Sequence, residues 1–149
     1  MPVAMTSRAR IIFALIAICA AAGITISSVS LYHHYGSSQT TYCDFGENFN
    51  CDIVNRSTYS TVFGVPDALI GILGYAGLLG LATRYRTRTA TPRILLIAAL
   101  AGLSFALYLT YIEAFVLATW CVLCLSSLVV ILMITALSSY LAASSKLQA

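Results

Sequence analysis

Two pairs of cysteines are the residues of this sequence best suited to chemistry. Cys43 and Cys51 are separated by seven residues, and Cys121 and Cys124 by two, within Trp120-Cys121-Val122-Leu123-Cys124. A C-x-x-C pair opening a helix lets both sulfurs face each other, while the helix N-terminus favours the thiolate of the first. Such a pair cycles between dithiol and disulfide. The upstream pair lies among Asn, Asp and Gly, where it can close a small loop and also move. A mobile pair beside a fixed one makes an electron relay. Two structural disulfides, or a closed zinc site of four thiolates, are the bland alternatives. The Cys43 to Cys51 spacing is wide for zinc, and no metal site is expected.

The elements that must position these thiols are set by composition. The chain has 149 residues, 60% hydrophobic and 9% charged, with mean hydropathy +0.90. A water-soluble domain of this size cannot present such a surface, so the reading is an integral membrane protein with no nucleic-acid partner. Crossing about 30 Å of hydrocarbon takes roughly 20 apolar residues. Four stretches qualify: Ile11 to Leu31, Val65 to Thr83, Ile94 to Ile112, and Cys121 to Leu141. Continuous runs of this length are helices, since barrel strands would be short and alternating. The expected fold is an all-α membrane protein, a four-transmembrane-helix bundle with a cysteine-bearing outer loop between helices 1 and 2.

Arg8 and Arg10 precede the first span, Arg84, Arg86, Arg88 and Arg93 separate the second and third, and Lys146 follows the fourth. By the positive-inside rule both termini and the middle loop are expected to be cytoplasmic. Arg56, with Asp44, Glu47 and Asp52, falls in the opposite, outer segment. Both cysteine pairs then lie on the outer side, where disulfides persist. A cleaved signal ending near Ala20-Ala21-Ala22 is the lesser reading, because the apolar run continues to Leu31 and a three-helix bundle would lose a wall.

Along the chain, Tyr32-His33-His34-Tyr35 reads as an interfacial edge with surface histidines, and 36–41 as a polar linker. Pro66 suits the first turn of span two and Pro92 that of span three. Asp67 complements the dipole of span two. Gly71, Gly74, Gly77 and Gly80 form a small-residue stripe for close helix packing. Cys19 is a packing residue, and Tyr32, Tyr35, Tyr111, Trp120 and Tyr140 read as belt residues. Glu113 is expected to be solvated at the outer surface, with proton delivery as its lesser role.

The outer cysteine pair, then Thr61-Val62-Phe63-Gly64 with Pro66 at the start of span two, then C-x-x-C at the outer end of span four, resembles the vitamin K epoxide reductase family. The resemblance runs over roughly residues 10 to 141. It implies a four-helix bundle around a quinone, ubiquinone or menaquinone, with vitamin K as a further option. It further implies that Cys43 and Cys51 take electrons from a thioredoxin-fold thiol protein, that Cys121 exchanges disulfides with the loop, and that Cys124 faces the quinone. The resting partner of Cys51, Cys43 or Cys121, stays open. Ser57, six residues after Cys51, occupies a position the family implicates in the chemistry.

For the quinone pocket the candidates are Ser60, Phe63, Tyr75, Tyr108 and Leu128. Ser57 or Ser60 can orient a carbonyl or a water, and an aromatic inside a bundle is otherwise ordinary core. Leu128 stands where vertebrate members carry a vitamin-contacting Tyr, Ser60 where they carry Asn, and the stretch from Cys51 to Phe63 lacks their long insertion. The expected activity is therefore a thiol:quinone oxidoreductase of the bacterial inner membrane supporting disulfide formation. Vitamin K epoxide reduction and a non-catalytic tetraspan or metal-binding protein are the alternatives. One domain, 1–149, is expected, with no fused thioredoxin-like domain and the redox partner in trans.

Overall fold

The computed structural model describes residues 4–36, 43 and 46–147. Most of the expected linker at 36–41, and Asp44, lie outside the described residues. Four long apolar helices dominate: α1 (Ser7–Tyr35), α3 (Asp67–Thr83), α4 (Thr91–Ile112) and α5 (Val122–Leu147), with a short α2 (Cys51–Asn55) between the first two. Each long helix packs on two others, α1 on α3 and α5, and α4 on α3 and α5. They close around a core that includes Phe13, Ile16, Tyr75, Leu95 and Ile134.

Three of these helices are long and apolar enough to cross a membrane: Ser7–Tyr35, Thr91–Leu117 and Val122–Leu147. The fourth, α3, has 17 residues, and at 1.5 Å per residue it rises about 26 Å, short of a full hydrocarbon core. The expectation that it begins at Val65 is corrected. Val65 and Pro66 instead form a two-residue strand, β2, antiparallel to β1 (Thr61–Val62), with Val62 opposite Val65. Phe63 and Gly64 turn the hairpin at φ 53° and 82°, the paired positive angles of a tight hairpin turn. Pro66 therefore precedes α3, whose first residue, Asp67, accepts the Ala68 N–H through Oδ1 at 2.7 Å. Pro92 does lie in the first turn of α4.

Two further expectations change. The Tyr32 to Tyr35 segment continues α1 instead of ending it, and His33 is buried at 2% exposure. Of the glycine stripe on α3, Gly71 alone meets a neighbour, Ser27 Oγ, whereas a Cβ at Gly74, Gly77 or Gly80 would meet nothing within 4 Å. Gly23 on α1 makes the tighter contact: a Cβ there would enter the Tyr75 ring. Gly23→Ala is accordingly expected to destabilise by about 1–3 kcal/mol through overpacking. Gly77→Ala, by contrast, should be neutral or stabilise by up to about 1 kcal/mol through helix propensity. Thermal unfolding of the two variants in one detergent checks the contrast.

Candidate functional site

The four expected thiols come together at one end of the helices. Cys43 and Cys51 form a disulfide with Cα atoms 5.6 Å apart, and Cys121 and Cys124 are free. Cys43, Cys51 and Cys121 are buried in one apolar cluster with Val54, against Leu117, Leu123 and Cys124. Two backbone devices bring them there. Asn50 caps α2 by accepting the Ile53 N–H at 3.0 Å, which fixes Cys51 as the first helical residue. The residues just before Cys51 and just before Cys121 are then strapped together by a parallel bridge between Phe49 and Trp120. In it the Asn50 N–H donates to Trp120 O at 3.1 Å and the Trp120 N–H to Asn48 O at 2.8 Å.

The cysteine helix is also tied to the end of α1. His33 Nδ1 lies 3.0 Å from Asp52 Oδ1, so the ring donates from that nitrogen to the carboxylate. Arg56 Nε donates to His33 O at 3.3 Å, and His34 Nδ1 donates to Asn55 O. The reading of both histidines as surface residues is thereby corrected: a helix one turn longer carries them under α2. His33→Ala removes a hydrogen bond to a charged group, worth about 1.5–3 kcal/mol. The amides of Cys51 to Asn55 should then exchange with deuterium roughly tenfold to a hundredfold faster than in the unaltered chain, as measured by mass spectrometry.

Sequence reasoning passed over Asn55. It is buried at 2% exposure, donates through Nδ2 to Cys51 O at 2.9 Å, and holds the same nitrogen 3.8 Å from Cys121 Sγ. One amide thus touches both cysteines that an exchange would join, and an Asn four residues after a cysteine on a helix, on the same face, was the available signal. Cys121 lies one residue ahead of α5. The hydrogen bond from the Cys124 thiol holds its own thiol below the usual cysteine range, a shift that favours the thiolate needed for exchange.

Below this cluster is a cavity of about 450 Å³ between the long helices, lined mainly by apolar residues of all four, with Asn55, Asp67, Tyr75, Ser127 and Cys124 among its walls. Of the four paired cysteines Cys124 alone borders it. Its size is that of a small-molecule site, apolar with a few polar groups. Tyr75 is in its wall, with its hydroxyl 3.0 Å from Ser127 O and 2.8 Å from Ser127 Oγ. The other pocket candidates do not line it. Phe63, at the hairpin tip, is fully exposed and Tyr108 half-exposed, because each points away from the helix interior. Leu128 packs into the helix core.

Ser57 and Ser60 flank a second, much smaller cavity, shared with Asp67, Glu113 and Cys124. Ser57 Oγ donates to Val54 O at 2.8 Å and Ser60 Oγ to Ser57 O at 2.7 Å. Glu113 is the clearest departure from expectation. It is 1% exposed, because α4 continues into a π turn, Glu113–Leu117, ended by Ala118 at φ 48°, and this wider winding carries the carboxylate inward. Its Oε2 accepts the Cys121 N–H at 3.1 Å. Among the described residues no group of three or more His, Cys, Asp or Glu is placed to hold a metal ion.

A model of the vitamin K epoxide reductase family, whose members are membrane oxidoreductases linked to quinone chemistry, matches residues 14–139, which takes in all four clustered cysteines and both cavities. The chain belongs to the vitamin K epoxide reductase family.

Proposed function

We propose that this chain is a four-span thiol:quinone oxidoreductase that takes electrons from a thioredoxin-fold protein and so drives disulfide formation. The observation that carries the reading is the position of Cys124, the one paired cysteine that touches both the buried thiol cluster and the large apolar cavity. A reduced partner attacks the Cys43–Cys51 disulfide, and the loop dithiol so formed passes two electrons on. Cys51, strapped beside Cys121, is the exchanging sulfur, and Cys121 with Cys124 forms the next disulfide as a quinone in the cavity becomes quinol. Each exchange runs through a mixed disulfide, its direction set by the two potentials. Asn55 positions Cys51 against Cys121, Tyr75 with Ser127 supplies polar groups in the cavity wall, and Ser57 belongs to the chemistry on the Cys124 side.

Charge asymmetry supports an orientation with both termini cytoplasmic and the cysteines outside, in a bacterial inner membrane. A thioredoxin-fold thiol protein on the outer face as electron donor completes the proposal. Expression in a bacterial strain lacking its own disulfide-forming membrane oxidase tests partner, direction and compartment together. Restored oxidation of a secreted disulfide protein is the expected result. Failure of a membrane-inserted chain to restore it, together with no quinol formed from ubiquinone or menaquinone analogues, overturns the reading.

A further inference from the structure

Glu113 is a buried carboxylate whose first oxygen is used and whose second is not. Oε2 accepts the Cys121 N–H, whereas Oε1 is buried with no hydrogen-bond partner among the described residues. Leaving a carboxylate oxygen unpaired away from water is costly, and structures keep such groups where they act. The carboxylate and the Cys124 side chain both border the small cavity. Asp67, at the start of α3, borders that cavity and the large one alike. Cys124, Glu113 and Asp67 thus line one small space, and Cys124 and Asp67 line the apolar cavity as well.

We propose that Glu113 is a catalytic base that takes the Cys124 proton as the Cys121–Cys124 disulfide forms, and that Asp67 carries this proton to the large cavity. The inference rests on the thiol-to-quinone reading. The sum is two thiols plus one quinone giving one disulfide plus one quinol: two S–H bonds break, one S–S bond forms and two O–H bonds form. The electron pair goes from sulfur to the quinone. The Cys124 proton goes to Glu113, then across the small cavity to Asp67 and onto one quinol oxygen, while the Cys121 proton supplies the other. Separating the proton from the electron pair suits the geometry, since the carboxylate borders the small cavity and not the large one. The ionisable groups around Glu113 are Cys121 and Cys124 from the α5 side, Asp67 from α3 and Tyr59 from the turn before β1, with His34 of α1 acting on Asp67.

Glu113→Gln keeps an acceptor for the Cys121 N–H and removes the base. Two measurements on the full chain in lipid nanodiscs test it. In quinone-free protein, the pH dependence of the Cys121–Cys124 potential counts protons released per electron pair, in the range where both thiols are protonated. One is expected for the unaltered chain, because Glu113 keeps the other, and two for E113Q. With a soluble ubiquinone analogue, E113Q should form quinol about a hundredfold more slowly, the size of a lost acid–base group, and Glu113→Asp should recover part of the rate. Asp67→Asn should lower the rate and leave the proton count at one. Two protons in both proteins, or an unchanged rate in E113Q, overturns the role of Glu113. If the unaltered chain forms no quinol, the thiol-to-quinone reading itself falls, and the proton count still reports on Glu113 separately.

Discussion

Cys124→Ala protein, supplied with a reduced thioredoxin-fold protein and a quinone, is expected to form no quinol above background, a loss of at least about a thousandfold. The reason is positional. Cys43, Cys51 and Cys121 are buried away from the large cavity, and Cys124 alone of the four borders it. Without Cys124 the first exchanges still run, since Cys51 and Cys121 remain strapped by the Phe49 to Trp120 bridge. The Cys121 thiolate attacks Cys51 of the loop disulfide and frees the Cys43 thiol, and only Cys43 or the partner can then break the new bond, neither of which passes electrons to the cavity. Non-reducing mass spectrometry before the reduced partner is added should show that Cys51–Cys121 adduct, and quinol absorbance should stay flat once it is added. Full turnover by the alanine variant would remove the basis of the proposed electron path.

The second large effect is expected from filling the cavity. Gly74 lines it, and a Cβ there would meet nothing within 4 Å, so Gly74→Phe places a ring into open space without moving the backbone. Replacing a mid-helix glycine removes its backbone-entropy penalty, which more than covers the weaker helix propensity of Phe. The ring meanwhile takes up part of a cavity of about 450 Å³, whose wall Gly74 helps form. The KM for a quinone analogue should rise at least about tenfold or turnover be lost, with the melting temperature held or raised. The exchange of Cys43–Cys51 with a small dithiol should not change, because that disulfide lies outside the cavity. A variant with unaltered quinone kinetics would show that the quinone binds elsewhere. Stability and activity move in different directions in this test, which separates a blocked site from a damaged fold.

What the sequence alone makes legible follows from length scales. A membrane-spanning helix must be apolar over its whole length, so the runs at Ile11 to Leu31, Ile94 to Ile112 and Cys121 to Leu141 were visible, although the helices extend beyond them. The same requirement hides which face points inward. Lipid is as apolar as a helix core, so Phe63, Tyr108 and Tyr75 look alike in sequence, yet only Tyr75 reaches the cavity wall. Gly23 and the glycine stripe present the same difficulty: small residues permit close contact, but neighbouring helices decide where contact occurs.

The site divides in the same way. The spacing of Cys121 and Cys124 and the apolar context of the chain already point to thiol chemistry at a membrane, because two intervening residues at a helix start suffice to pair two sulfurs. Tertiary structure alone decided that Cys51 sits beside Cys121, since that depends on a backbone bridge between residues 71 positions apart in the chain, Phe49 and Trp120. It alone placed His33 and His34 beneath α2, because whether α1 stops at Leu31 or continues is settled by what its last turn packs against. It alone turned Glu113 from an expected surface carboxylate into a buried one. A single π turn changes the direction of a side chain without leaving any mark in composition or periodicity.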